Sequence, residues 1–168
     1  MVTIGDVFSV IGSLVGICVT AWAVIMGAAL LFQSSASRAR DAYRSGPWKG
    51  IGLGLLLTLV FGTIGFILVN IPNPAIKLTG MGVLLAIMVL SALGASGISM
   101  LIAERIAALD PNASRYGAMQ RATLIMVVAG VFPILGWFLI GPLLIIAGVG
   151  YGIQALVATV RYSAVQGF

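Results

Sequence analysis

The side chains able to do acid–base or nucleophilic chemistry are few and scattered. Asp6, Asp41, Glu104 and Asp110 are the only acids, Cys18 is the lone thiol, and histidine is absent. General acid–base work, metal-assisted hydrolysis and an activated serine each need partners at close spacing. No two acids here are spaced as a pair, and no His/Cys cluster exists to hold a metal. The missing histidine also removes the usual axial ligand of haem. Asp41 lies three residues from both Arg38 and Arg44, which is helical i,i+3 spacing. It reads as a solvated local ion pair worth a few tenths of a kcal/mol rather than as a catalytic acid. Gly50, Gly52 and Gly54 invite comparison with a phosphate-binding loop, but they follow no strand and lack the G-x-G-x-x-G spacing. No catalytic, cofactor-binding or metal-ligating residue is expected, and the chain does not read as an enzyme.

The elements that would have to position any site are apolar. The 168 residues are 61% hydrophobic and 8% charged, with a mean hydropathy of +1.18. An average soluble domain is roughly a quarter charged, so this chain lacks the polar surface to stay in water. Several of its apolar runs exceed the ~18 residues that mark a membrane span. The formal net charge of +5 comes from bases gathered in short gaps between those runs. Topology control and contact with anionic lipid account for them, and nucleic acid does not.

Taken in order, the first run covers about 7–32. It is too long for the apolar core of a signal peptide (~7–15 residues) and follows no basic n-region, so a retained span is expected. It carries Gly12 and Gly16, a GxxxG pair that lets a neighbouring backbone approach closely. The gap at 33–49 holds Arg38, Arg40, Arg44 and Lys49, expected to set topology and touch anionic headgroups at about 1 kcal/mol each. Ser34 or Ser35 is placed to cap a short helix there, Gly46 to end it and Pro47 to open the next.

The second span, about 50–70, carries Gly50 and Gly54. The turn that follows contains Pro72 and Pro74, which cannot continue a helix and send the chain back antiparallel. The third helix, with its span at about 75–103, keeps an apolar pattern to Leu109. It presents the small residues Gly82, Ala86, Ser91, Ala95 and Ser99, and its amphipathic end points Glu104 and Arg105 away from the hydrocarbon. Asp110-Pro111 has the form of a helix start, a capping carboxylate followed by proline. Asn112-Ala113-Ser114 fits the glycosylation pattern, but the topology below puts it in the cytosol.

Residues 122–160 as one helix would measure about 58 Å, nearly twice the hydrocarbon thickness. Split by Pro133 and Gly136, with Trp137 at the interface, they give two limbs, the first drawing on residues upstream of the block, with spans at about 117–132 and 137–160. The second of these carries Gly148 and Gly152. The expected fold is therefore an all-α integral membrane protein of five transmembrane helices, a first span plus two helical hairpins, forming one domain. With the N-terminus outside and the C-terminus cytosolic, eight of the nine basic residues face the cytosol and only Lys77 lies outside, as the positive-inside rule asks. A four-span alternative puts the tail and Arg161 outside.

The Pro-containing turn at 70–77, a polar gap, then Phe132-Pro133-Ile134-Leu135-Gly136-Trp137 and a final helix ending Gly148-x-Gly150-x-Gly152 form a recognisable series. It resembles a small multi-spanning bacterial module found beside, or fused to, bactofilin-type polymer-forming envelope proteins. The resemblance covers about 47–160 and implies an envelope scaffold or anchor without catalytic residues. The bactofilin strand repeat is not in this chain, so any polymer partner would be a separate protein.

Coupled transport and intramembrane chemistry leave ionisable residues inside spans, and the expected spans hold none. Small-residue faces are plentiful instead. The expected function is a non-catalytic structural or accessory subunit of the bacterial cytoplasmic (inner) membrane, a multi-pass protein acting by helix packing with itself or a larger membrane complex. The alternative is a channel or passive transporter for a small neutral or lipophilic solute. Membrane lipids are the expected partners, and the smooth faces also admit a lipophilic pigment.

Overall fold

The computed structural model describes residues 4–110 and 112–166, apart from the side chains of residue 47 and residues 161–166. Helices and the turns between them make up the described residues, with no strand. The helices are α1 (Ile4–Leu31), α2 (Gln33–Ser45), α3 (Pro47–Asn70), α4 (Pro74–Leu109), α5 (Arg115–Val131) and α6 (Gly141–Gln166). Widened turns of π-helix at Gly136–Ile140 lead into α6.

Among the described residues four helices are long and apolar enough to cross a membrane, at Ile4–Leu31, Trp48–Asn70, Pro74–Leu109 and Gly136–Val160. The chain is thus a multi-pass membrane protein by length and composition. α5 stands outside this group: its 17 residues measure about 25 Å, short of the ~30 Å hydrocarbon layer. The long terminal block does break where its length demanded, between Val131 and Gly136. Its two limbs, however, meet only around the turn, where Gly130 faces Leu144. Beyond it α6 packs against α3 and α4, not along α5.

Several boundaries follow the local chemistry read from the sequence. Pro47 and Pro74 occupy the first turns of α3 and α4, and the Asn73 side chain caps α4 by accepting from the Ala75 N–H at 3.0 Å. Two expected caps are not formed. α2 starts at Gln33 directly after a kink at Phe32, so Ser34 and Ser35 already lie inside the helix. Asp110 closes α4 instead of opening α5, because the Ser114 hydroxyl takes that role, accepting from the Gly117 N–H at 3.0 Å. Pro111 is outside the described residues.

At the 132–136 turn the positive φ falls on Ile134 (67°), not on a glycine. Gly136 serves a different need: a Cβ there would lie 2.5 Å from the Gly130 carbonyl oxygen. The π register just after it has a local cause. Pro142 has no N–H to donate, and its ring would collide with the carbonyl four residues back in a regular helix. Loosening the preceding turn relieves that collision.

Candidate functional site

The helix-packing glycines divide into two groups. Gly50 and Gly54 on α3 meet α6 directly, where a Cβ on Gly54 would strike the Ile146 carbonyl and one on Gly150 the Gly50 carbonyl. On its other side α6 crosses α4, with Gly148 against Ser91 and Gly94, and Gly152 against Leu90. The Gly148–Gly152 stretch is therefore clasped between α3 and α4, and Tyr151 within it is fully buried, its ring 4.9 Å from that of Tyr43 on α2. Gly12 and Gly16 on α1 are the opposite case, with nothing within 4 Å of a Cβ at either position. On α4 the close approaches fall at Gly80, Gly94 and Gly97, whereas Gly82 from the expected small-residue series faces open space.

Gly97 is the point at which α2 is pressed onto α4. A Cβ there would lie 2.7 Å from the Ala39 Cβ and 2.8 Å from the Arg40 backbone nitrogen. Ser35, Ala36 and Ala39 are buried on this face of α2. The same face carries Arg40 and Arg44, one turn apart, and both reach Glu104, two turns beyond Gly97 on α4. Arg40 Nη1 donates to Glu104 Oε1 at 2.6 Å, and Arg44 Nη2 donates to Glu104 Oε2. Arg40 also grips Asp41 through Nε and Nη2, at 2.9 and 2.8 Å. The hydrogen bond to Asp41 lifts the Arg40 guanidinium above its ordinary pKa; partial desolvation opposes this, and the nearby charges of Asp41 and Glu104 assist it. Asp41 thus pairs with its neighbour Arg40, and the expected Arg44 contact goes to a residue on another helix. Lys49 is exposed, and Arg38 is half-buried on α2.

The sequence reading placed Glu104 on a solvated face. It missed the cluster because its members lie 60 and 64 residues apart. The available signal was Arg40 and Arg44 at i,i+4, a spacing that costs energy as a like-charge pair unless a carboxylate sits between them.

Beside this cluster the end of α1, the start of α2, the end of α4 and the start of α5 enclose a cleft of about 750 Å³. Its floor is apolar, with Ala29, Leu30, Met100, Ala103, Ala107 and Met119. Its rim is polar, with Gln33, Ser34, Ser37, Arg40, Glu104, Arg115 and Tyr116. Below the floor, hydroxyls tie α1, α4 and α5 together. Ser99 and Thr123, both fully buried, share a hydrogen bond of 2.5 Å, and Thr123 also donates within reach of the Met119 carbonyl (2.9 Å) and Met26 Sδ (3.5 Å). Among the described residues no three His, Cys, Asp or Glu side chains converge. The carboxylates of Asp41, Glu104 and Asp110 each face an arginine, Asp110 through Arg121 at 3.2 Å. The arrangement fixes a set of paired charges beside an apolar cleft.

No protein-family model matches the chain, and no curated protein and no solved structure matches it either.

Proposed function

We propose that this protein is a non-catalytic membrane subunit that assembles through α1, with itself or with a larger complex of a bacterial cytoplasmic membrane. The observation that carries this reading is the state of α1. No residue between 4 and 20 is buried, and the helix enters the core of the chain around Trp22, Met26 and Ala29. That leaves an arm of about 25 Å, close to the thickness of the hydrocarbon core. One side of the arm is smooth, with Ser9, Gly12, Ser13 and Gly16 at helical spacing. Two hydroxyls of the arm are satisfied by the backbone: Ser13 donates to the Ser9 carbonyl and Thr20 to the Gly16 carbonyl, both at 2.8 Å. In hydrocarbon such faces associate by close backbone packing. The other two GxxxG pairs are consumed inside the chain, so Gly12/Gly16 is the pair left for a neighbour.

On this reading the chain crosses five times, N-terminus outside and C-terminus cytosolic. α5 completes its crossing by drawing on the turn at 132–136. The resemblance to modules of bactofilin-type systems supports an anchoring role for the assembly.

Oxidative crosslinking of Ser13→Cys, in a Cys18→Ser background and in native membranes, should yield a dimer or a discrete heterologous band. Gly12→Leu with Gly16→Leu should abolish that band without lowering the thermal stability of the chain. A chain that stays uncrosslinked and runs at single-chain mass in mild detergent would sink the proposal.

A further inference from the structure

We infer that the cleft at the α1–α2 elbow, between the end of α1 and the starts of α2 and α5, binds one phosphate-bearing anionic amphiphile. Its head would sit at Arg115 and its chain would run over the apolar floor. The inference is independent of how α1 assembles.

Three features point to this ligand class. The first is the division of the lining: an apolar floor of Leu30, Met100, Ala107 and Met119 under a polar rim fits a molecule with a charged end and a hydrocarbon end. A volume of about 750 Å³ lies within the range of sites that enclose small molecules. The second is the charge balance. Arg40 and Arg44 are compensated by Glu104 and Asp41, whereas Arg115 on the same rim has no carboxylate partner among the described residues. One uncompensated cation matches the single charge of a phosphodiester. The third is backbone polarity. The first turns of α2 and α5 both line the cleft, at Gln33 and Ser34 and at Arg115 and Tyr116. The first-turn N–H groups of both helices supply donors on the lining that carries Arg115, while their dipoles are offset by the C-terminal ends of α1 and α4 on the same cleft. The Tyr116 hydroxyl and the Gln33 amide supply neutral donors at the same rim.

Position agrees with this chemistry. The apolar helix α1 ends at Leu31, and the polar helix α2 begins two residues later, which is where the hydrocarbon of a bilayer would give way to headgroups. The rim thus stands at headgroup depth, with the floor facing the chains.

The test uses the full-length chain, purified in a mild non-ionic detergent and examined by native mass spectrometry. Added probes are phosphatidylglycerol, phosphatidylcholine or inorganic phosphate. The expected result is one phosphatidylglycerol retained per chain, with phosphatidylcholine retained far less and millimolar inorganic phosphate failing to displace the lipid. Arg115→Gln removes a charge-assisted contact and should weaken retention at least about tenfold. Ala107→Phe, which fills the floor without touching charge, should do the same, while Lys77→Gln near the start of α4 should leave retention unchanged. Arg115 is exposed at the first position of α5, so its replacement spares the core; Ala107→Phe provides a second, independent reading. Equal retention of phosphatidylcholine, or full retention by both Arg115→Gln and Ala107→Phe, would overturn the assignment. So would displacement by inorganic phosphate alone, since the site would then read only a free anion.

Discussion

Replacing a glycine by alanine tests the two classes of helix face directly, because the same chemical change should carry opposite signs at different positions. At Gly12 or Gly16 an added methyl meets nothing within 4 Å. Only the gain in helix propensity remains there, up to about 1 kcal/mol in favour of the variant. At Gly97 the methyl would arrive 2.7 Å from the Ala39 Cβ, 2.8 Å from the Arg40 nitrogen and 3.0 Å from the Ala36 carbonyl. Carbon atoms in contact sit about 3.5–4.0 Å apart, so α2 must retreat from α4 by roughly 1 Å. Two of the three blocking atoms belong to backbone, so no side-chain rotation can absorb the shift. Overpacking of this kind costs about 1–3 kcal/mol, which exceeds the propensity gain. Gly97→Ala should therefore be less stable than the parent, by up to about 2 kcal/mol, while Gly12→Ala is neutral or more stable. Unfolding in mixed micelles of mild detergent and dodecyl sulfate, followed by far-UV circular dichroism, measures both. A Gly97→Ala chain as stable as Gly12→Ala would refute the claim that α2 is clamped at this point, and with it the placement of Arg40 and Arg44 over Glu104.

Other expectations follow from the same contacts. Glu104→Gln should destabilise by no more than about 1 kcal/mol, since the carboxylate is 39% exposed and such pairs are weak; a double-mutant cycle with Arg44→Gln should show coupling of about 0.5 kcal/mol, falling with added salt. The raised pKa of Arg40 means that its contribution is complete below the ordinary arginine range and is lost only above the raised value, so between pH 6 and 9, roughly the working span for this measurement, Arg40→Gln should lower stability by a pH-independent amount. Ser99→Ala should cost about 0.5–1.5 kcal/mol, the lower end being favoured because Thr123 keeps its bond to the Met119 carbonyl. Ile134→Gly should gain up to about 1 kcal/mol by relieving a left-handed β-branched residue, with little packing lost from a side chain that is 77% exposed. The crossing number is settled by cysteine labelling at Ser163 in a Cys18→Ser background: protection from an impermeant reagent added outside supports five crossings, and labelling from outside supports four.

What was legible in the chain alone is what depends on local sequence. Hydrophobic run length identifies the membrane class, and Pro47, Pro74 and the break at Val131–Gly136 mark helix starts and a turn, because backbone geometry at proline and the span of a bilayer are set within a few residues. The composition also marks Gly50/Gly54 and Gly148/Gly152 as packing positions. Which glycines face one another, and which face open space, is not local information. Gly12/Gly16 and Gly148/Gly152 share one spacing, yet the second pair is pressed against α4 while the first is bare. That outcome depends on where α6 goes after the turn at 132–136. The charged cluster likewise required α2 to be seated on Gly97 before Arg40, Arg44 and Glu104 could meet. No pattern within α2 or α4 specifies that seat, since it is the absence of a side chain on one helix and the buried Ala36 and Ala39 on the other that together let the two backbones close.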